Sequence, residues 1–491
     1  MSSPTLSILS TADRDVLHER TLQVLAQTGA CFESAVARAR LREAGCRVDE
    51  QSGWVRFSSD LVEWTLSQLG RDVLLAARDP KHDVLLDGSR TFVTTTGICP
   101  SVVDLETLEH REPRLKDLAE AGLLVDALDE LGLCWFSVSP TADAPDLMTD
   151  LASLACLVAS TGKHIQGQLV RPEDVPYAVE IMRLAAPGVD HKKRPIFSSL
   201  YCPVSPLHHG AQAIEAGVAM ARECIPIDIY SLALSGATSP MSLAGTIVQT
   251  LAEEISAAVL FKLINADCPL ILTGNAGILD MSTSSYASAT PECSLMNVAL
   301  IEMIHSYGAP TQSIGLAMDS FDLSFRGGLE NMGVGQLTWL ARPDMMTGLG
   351  GVGGAQALSL SKLVLDAEMV QYLVRLSDGV VLGDEHGDVD AIKRVAPHGH
   401  FLSEKATVRL LRSGEHWLPT LLRRGGHDES QRQASDASTL AKERVGEILA
   451  SHRALPLPEG AVEAIELMLV PLRRERARAG SPFNACQPKA Q

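Results

Sequence analysis

Hydrophobic residues recur at helical spacing along the first part of the chain. A broad apolar stripe begins near residue 12 and ends at Gly29, which is a typical helix stop. Two further segments repeat this amphipathic pattern, and short β-like pieces follow on either side of Pro80. The pattern predicts an N-terminal helical segment with short β pieces over residues 1–90.

From about residue 91, short β-rich runs alternate with helical segments. The runs cover residues 91–97, 133–140, 164–170, 195–203, 225–234, 269–277, 310–318 and 344–351. Eight βα units over residues 91–376 have the size and rhythm of an α/β fold of the TIM, or (β/α)8, barrel type. A doubly wound parallel sheet also alternates strands with helices and is the alternative.

The alternation ends after residue 376. Amphipathic helical segments dominate the remainder, so residues 377–491 are predicted to form a C-terminal helical extension. The chain would then be a barrel with helical extensions at both ends. We expect these additions to pack on the barrel or to make subunit contacts, and therefore expect a homo-oligomer.

Charge and cysteine usage narrow the class of protein. The formal net charge of −18 disfavours nucleic acid, whose phosphates attract clustered Lys and Arg. The sequence contains neither a signal-like start nor an apolar run of about eighteen residues, so no membrane span is expected. The ten cysteines are scattered and form no C-x-x-C pair. We therefore expect reduced thiols in a cytoplasmic protein and no zinc site.

The stretch "TGLGGVGG" at residues 347–354 contains the dinucleotide-binding pattern G-x-G-x-x-G. The acidic residue that should meet a ribose would be Glu368, but the residues around it follow helical spacing. A dinucleotide fold needs that residue at the end of a strand. The interpretation as a nicotinamide or flavin site is therefore rejected, and the glycines are expected at the barrel mouth after the eighth strand.

Several longer segments resemble a known family. They include "LHERTLQVLAQTGACF", "AGTIVQTLAEEISAAVLFKLINADCPLILTG", "DLSFRGGLENM" and "HFLSEKATVRLLRSGEHWLPTLLRRGGHD". Together they resemble the trimethylamine methyltransferase family along nearly the whole chain. That resemblance implies a TIM barrel that passes a methyl group from a methylated amine to a corrinoid protein.

The chain departs from the family archetype in composition and at two motifs. It contains only standard residues, and so resembles the pyrrolysine-free branch, whose members are associated with quaternary amines such as glycine betaine. Asn265-Ala266-Asp267 stands where the family tends to have Asn-Pro-Gly, and Ala406-Thr407 where it often has His-Thr. These departures weaken the transfer of any particular substrate.

The resemblance implies displacement at a methyl carbon by the Co(I) of a corrinoid (cobalamin). The partner protein would carry the corrinoid, and neither NAD nor zinc is expected. The barrel would hold a cation with one methyl group facing out of its mouth and would keep water away. Aromatic faces usually recognise such cations, and a carboxylate is an alternative.

Aromatic and polar residues near strand ends are the candidates for substrate binding. They are Thr96, Gln166, Gln168, Tyr201, Tyr230, Phe321, Phe325 and Arg326. The last three follow the seventh strand and would offer an aromatic wall and a guanidinium for the carboxylate of a betaine. The alternative is that the aromatics pack loops against the barrel and that the polar residues satisfy backbone groups.

Three acidic residues and three glycines complete the candidates. Glu292, Asp319 and Glu330 are the catalytic candidates and would neutralise a cation. The alternative is that Glu292 and Glu330 cap or brace a helix and that Asp319, at a strand end, satisfies backbone groups. Small residues at Gly348, Gly350 and Gly351 would leave room for a substrate or a docked corrinoid.

Three functions remain open at this point. The first is a corrinoid-dependent methyltransferase that acts on a quaternary or tertiary, betaine-like amine. The second is a TIM-barrel enzyme of other chemistry, because fold alone does not fix function. The third is a non-catalytic protein that binds methylated amines.

Overall fold

Eight parallel strands form the centre of the molecule. The computed structural model describes residues 4–144, 148–382, 389–422 and 437–479. The strands are β1 (Phe92–Thr95), β2 (Leu133–Trp135), β3 (His164–Gln168), β4 (Phe197–Tyr201), β5 (Ile227–Ile229), β6 (Leu270–Thr273), β7 (Thr311–Ile314) and β8 (Met345–Leu349). Each of the eight predicted runs contains one of them.

The strands close into a barrel. Strands β2 to β8 pair in chain order, and β8 pairs in parallel with β1 through Met345 and Phe92. The remaining seam is closed by a parallel bridge between Val93 and Leu131 and by the Gly132 N–H, which donates to the Val93 carbonyl at 2.9 Å. The barrel prediction is therefore confirmed, and the doubly wound alternative is wrong.

A helix follows every barrel strand before the next one begins. These helices are α1 (Leu115–Ala127), α2 (Thr149–Ser160), α3 (Val175–Ala185), α4 (Ala211–Arg222), α5 (Leu243–Ile264), α6 (Pro291–Ser306), α7 (Phe325–Ala341) and α8 (Leu360–Ser377). Helix α5 is buried along most of its length because it lies between the barrel and three helices of the N-terminal segment.

Shorter strands lie within the segments that follow the barrel strands. They are Ser101–Val103, His110–Arg111, His208–His209, Leu234–Ser235, Gly277–Asp280, Ser285–Ala287, Gly351–Val352 and Ala357–Leu358. Because all of them follow the carboxyl ends of barrel strands, they build up the rim at that end of the barrel.

The N-terminal residues wrap one side of the barrel and share its core. Their helices are Thr11–Gln27, Ala35–Glu43 and Ser59–Ser67, and their strands are Ala30–Phe32, Arg47–Val48, Trp54–Arg56, Val73–Leu75 and Val84–Leu86. Each helix starts at a serine whose side chain accepts a backbone N–H of the first turn: Ser10, Ser34 and Ser58. Leu25 and Phe32 are fully buried against the barrel helices, so this segment adds to the central core.

The last two strands of the N-terminal segment close the bottom of the barrel. Val73–Leu75 and Val84–Leu86 pair as an antiparallel hairpin. Their apolar side chains pack on Leu133, Ile271 and Met345, which begin or lie near the beginning of their strands. The amino-terminal end of the barrel is therefore filled.

The C-terminal residues add further helices around the barrel. The helices are Val389–Val395, Lys405–Arg412, Ala437–Ser451 and Ala461–Ala479, and Ala437–Ser451 packs on α8. Throughout the described ranges, no helix combines the length and the apolar character that crossing a membrane requires. The nine cysteines within those ranges are free thiols.

Candidate functional site

A cavity of about 650 Å³ opens at the carboxyl-terminal end of the barrel. Active sites of such barrels lie at this face, where the loops after each strand surround the central axis. Strand ends and loops line the cavity with Thr96, Trp135, Gln168, Leu200, Cys202, Tyr230, Tyr286, Ser288, Ile314, Met318, Thr347, Gly348 and Gly351, among others. Its volume suits a small organic ligand.

A larger groove, of about 910 Å³, lies beside the amino-terminal end of the barrel. Charged residues of both signs border it, including Lys81, Arg90, Asp129 and Arg375. We assign the candidate site to the smaller cavity, because it lies at the catalytic face of the fold and several strands converge on it.

Three aromatic side chains give the cavity its character. Trp135 at the end of β2 and Tyr230 just after β5 meet edge to face, with ring centroids 6.1 Å apart. Tyr286 lies in the hairpin between β6 and α6. Burial raises the pKa of both tyrosines, so both phenols stay neutral. Neutral aromatic faces of this kind attract organic cations.

The cavity wall carries no formal charge. Among the described residues that line it, none is Asp, Glu, Lys, Arg or His. Cys202 is neutral as well, because burial raises the pKa of its thiol to about 12. The same ranges contain no cluster of three His, Cys, Asp or Glu side chains placed to hold a metal ion. Within them, attraction to a cation at this wall therefore depends on aromatic faces and on hydroxyl and amide dipoles.

A polar layer lies directly below the cavity. Asp228 is fully buried, and its carboxyl accepts hydrogen bonds from the Thr273 hydroxyl at 2.7 Å and the Gln166 amide at 3.0 Å. Burial raises the pKa of Asp228 to about 7. Burial, reinforced by the nearby Asp228, also raises the pKa of Glu254 on α5. The floor is therefore polar and carries two acids that burial tends to keep neutral.

The predicted acidic residues Asp319 and Glu330 anchor loops outside the cavity. Asp319 accepts the backbone N–H groups of Ser288 and Ala289, which follow Tyr286, at 2.9 and 3.0 Å. Glu330 in turn accepts the Asp319 N–H at 3.0 Å. The two carboxylates thus position the loop that carries Tyr286.

Glu292, the third predicted acid, is exposed in the first turn of α6. A carboxylate is favourable there because the amino end of a helix carries partial positive charge. None of the three predicted acids lines the cavity.

The predicted substrate-binding residues divide by the direction of their side chains. Thr96, Gln168 and Tyr230 line the cavity, and Gln166 lies in the layer below them. Tyr201 points the other way, because neighbouring residues of a strand alternate between faces. Its hydroxyl hydrogen-bonds His209 at 2.7 Å, and its ring packs against α5.

The residues predicted as an aromatic wall after β7 lie on the rim instead. The side chain of Phe325 is 87% exposed, and that of Phe321 stacks edge to face on His110. Arg326 pairs with Glu330 at 2.6 Å and is itself largely exposed. Arg326 therefore does not reach the cavity.

The glycine-rich loop borders the cavity at two of its three predicted positions. Gly348 and Gly351 line it, and a side chain on Gly351 would come within 3 Å of Thr96. Gly350 faces away from the cavity toward Leu358 and α8. Its φ of +81° favours glycine, so this position is needed for the turn itself.

A buried ion pair holds this loop in place. Asp366 on α8 accepts the Gly350 N–H at 2.8 Å and pairs with Lys362 at 2.6 Å. Lys362 also donates to the Leu316 carbonyl after β7 and to Asn331 on α7. Burial raises the pKa of Asp366 and lowers that of Lys362. The network ties the loops after β7 and β8 together.

Glu368, the acidic residue of the nucleotide-like pattern, lies within α8 and is buried. Its carboxylate accepts backbone N–H groups of Thr420, Leu421 and Leu422. Glu368 thus anchors the C-terminal chain to the barrel.

Sequence reasoning did not select several residues of the site. Trp135 was visible as a strand aromatic, and Asp228 as a charge inside an apolar run, so both carried a signal. Gln312 in β7 also lay in a predicted strand. Tyr286 lies in a short hairpin strand outside the eight predicted runs, so neither periodicity nor strand position marks it in the sequence.

The fold and the cavity define a (β/α)8-barrel protein with an aromatic-lined cavity at its mouth. A family model described as trimethylamine methyltransferase matches residues 1–477. The chain belongs to this methyltransferase family.

Two curated relatives are similar over most of their length. The trimethylamine methyltransferase MttB of Desulfitobacterium hafniense is 29% identical over 90% of this chain and 89% of the relative. The glycine betaine methyltransferase of another strain of that species is 27% identical over 91% of this chain and 93% of the relative.

Among solved structures, the monomethylamine methyltransferase of Methanosarcina barkeri covers 89% of this chain and 92% of its own. Its sequence identity is 11% and its TM-score is 0.49.

Proposed function

We propose that this protein transfers a methyl group from a quaternary or tertiary methylated amine to the Co(I) of a corrinoid carried by a partner protein. The observation that carries the proposal is the uncharged cavity with its three aromatic side chains, Trp135, Tyr230 and Tyr286. Membership of a methyltransferase family supplies the reaction class. A glycine betaine methyltransferase among the relatives supports the quaternary, betaine-like amines.

The residues of this chain hold the amine and exclude water. The aromatic faces stabilise the positive charge, and the narrow barrel limits the positions of the methyl groups. A docked corrinoid would supply the nucleophile for the exposed methyl carbon. The electrons of the broken carbon–nitrogen bond remain on the nitrogen. A quaternary ammonium, or a tertiary amine bound in its protonated form, therefore leaves as a neutral amine, and the chain needs no nucleophile of its own.

The rim of the cavity supports docking of a protein partner. Exposed apolar side chains in the loops after four barrel strands surround the mouth: Val204, Met241, Met281, Phe321, Leu323 and Phe325. Exposed apolar surface of this kind marks interaction sites on proteins. A partner seated here would bring its corrinoid over the opening, next to Gly348 and Gly351.

Methyl transfer to reduced cobalamin tests the proposal. The purified protein is mixed anaerobically with Co(I)-cobalamin and a panel of tertiary and quaternary methylamines, including betaines. Loss of the Co(I) absorption with at least one amine is the expected result, and omission of the amine is the control. Tight binding of an amine without transfer would instead favour the binding-protein function. Absence of both binding and transfer across the panel would overturn both functions in favour of other barrel chemistry.

A further inference from the structure

The register of the barrel places three buried polar side chains in one layer below the cavity. Gln168, Tyr230 and Ile314 line the cavity, on β3, just after β5 and on β7. The residues two positions earlier, which point to the same side of the strand, are Gln166, Asp228 and Gln312. Side chains from alternate strands share a layer in such barrels. The Gln166–Asp228 hydrogen bond, 3.0 Å long, joins two members of this layer.

Several polar atoms in and just above this layer lack a hydrogen-bond partner within the described residues. The carboxyl oxygens of Glu254, next to Asp228, are among them. The others are both amide atoms of Gln312, Oε1 of Gln166, and Nε1 of Trp135, which lines the cavity. All four side chains are at least 96% buried. Buried polar groups in native proteins are almost always paired, and each unpaired one costs about 1–3 kcal/mol. These atoms therefore point to a bound polar group.

The proposed reaction fixes which part of the substrate reaches these atoms. The methyl group that leaves must face the barrel mouth, where the acceptor docks. The nitrogen and its remaining substituents therefore face inward, toward Trp135 and the polar layer. A substituent a few bonds long would bring its end to the unpaired atoms.

Electrostatics select the charge of that substituent. The layer contains Asp228. This residue lies close enough to Glu254 to add to the rise in the pKa of Glu254 that burial causes. Among the described residues that line the cavity or form the layer, no Lys or Arg offsets a further negative charge. A carboxylate would be desolvated there without a compensating cation, which is costly. A hydroxyl both donates and accepts, as the amide of Gln312 does.

We propose that the substrate is a methylated ammonium whose inward substituent ends in an uncharged hydrogen-bonding group, of the hydroxyl class, held by Gln312 with Trp135 and Gln166. This inference rests on the proposed function and deepens it. In this inference the aromatic wall of the cavity, formed by Trp135, Tyr230 and Tyr286, binds the ammonium group, and the polar layer binds the end of the inward substituent.

Three matched ligands test the inference by calorimetric titration of the whole protein. The first, 2-hydroxyethyl-trimethylammonium (choline), has the hydroxyl. The second, propyltrimethylammonium, has a methyl group in its place. The third, glycine betaine, has a carboxylate. We expect the hydroxyl compound to bind about tenfold more tightly than the other two, as for one additional buried hydrogen bond. This comparison needs no variant.

A variant then locates the effect. Gln312→Met nearly conserves volume and removes the amide, so it should bring the affinities of the hydroxyl and propyl ligands together. Gln371→Met on α8, where the amide bonds Glu130 outside the cavity, is the matched control and should leave the ratio unchanged.

The outcomes separate the inference from the proposed function. Equal affinity for the hydroxyl and propyl ligands, or tighter binding of the betaine, would overturn the inference while leaving methylamine binding intact. Preserved discrimination in Gln312→Met would also overturn it. Failure of all three cations and of the simple methylamines to bind would instead count against the proposed function.

Discussion

The two ends of the barrel use the same eight strands in opposite ways. At the amino-terminal end, the hairpin of Val73–Leu75 and Val84–Leu86 packs onto Leu133 and Met345 and leaves an apolar plug. At the carboxyl-terminal end, the strands finish in an open cavity with aromatic walls. Asp228 and its polar neighbours separate the two regions.

The difference shows that residues at one end of the barrel axis mainly stabilise the fold, while residues at the other end form the cavity. Apolar side chains that fill the lower end contribute through burial and close packing. The upper end leaves space unfilled and keeps buried amide atoms unpaired, which lowers stability unless a ligand occupies the site. The comparison predicts that substitutions at the lower end change folding and that those at the upper end change binding.

The largest effect is expected at the plug. Leu86→Ala removes a side chain that is 1% exposed, and the change should lower the free energy of unfolding by about 2–5 kcal/mol. Urea unfolding measures this loss. Affinity for tetramethylammonium, measured by calorimetry below the unfolding range, should stay within about twofold of the unmodified protein. A large loss of affinity would show that the two ends are not independent.

A pH-dependent effect on stability is expected from Asp228 in the polar layer below the cavity. Because the pKa of Asp228 is about 7 when folded and about 3.9 when unfolded, the folded protein binds more protons between these values. Its contribution to stability is full below about pH 4 and falls by about 1.4 kcal/mol per pH unit as pH rises toward 7.

Asp228→Asn removes this titration. The amide of Gln166 can turn its unpaired oxygen toward the new nitrogen, which keeps the layer bonded. The stability of the variant relative to the unmodified protein, from urea unfolding, should therefore rise between about pH 5 and about pH 6.5. A difference that stays constant with pH would mean that Asp228 is already ionised in the folded protein.

A smaller effect is expected at the aromatic wall. Tyr286→Leu removes an aromatic face from a loop outside the barrel strands and should weaken tetramethylammonium binding about tenfold with little loss of stability. Tyr286→Phe keeps the face and is the matched control. Equal affinities of the two variants in calorimetry would contradict a cation–aromatic contact at this position.

The smallest effect is expected on the rim. Arg326 makes an exposed ion pair with Glu330 outside the cavity. Exposed pairs of this type contribute about 0–1 kcal/mol. Arg326→Ala should therefore leave glycine betaine affinity unchanged in calorimetry. A clear loss of affinity would restore the sequence-based prediction that this guanidinium binds the substrate.

The barrel was predictable because its strands and helices have different periodicities. Eight apolar β-rich runs, each followed by a helical pattern, determine both the number and the order of the elements. The plug was less predictable, since the pieces on either side of Pro80 reveal two strands but not that they close a barrel end. Such long-range packing leaves no local signal.

Only some of the residues chosen from the sequence lie at the cavity, and the reason is physical. Thr96, Gln168 and Tyr230 line the cavity because strand ends converge there, and their role in substrate binding stays a prediction. The side chain of Tyr201 points away from the cavity because faces alternate along a strand, and Leu200 occupies the inward position. Asp319 and Phe321 lie outside the cavity lining because loops after the strands follow their own hydrogen bonds, which composition does not reveal.

The most direct test of the account is whether the cavity selects a methylated cation by its charge. Calorimetry with 2-hydroxyethyl-trimethylammonium and with 3,3-dimethylbutan-1-ol compares a cation with a neutral molecule of the same shape. The account predicts that the cation binds at least about tenfold more tightly, as aromatic recognition of a desolvated ammonium requires. Equal or tighter binding of the neutral alcohol would contradict it.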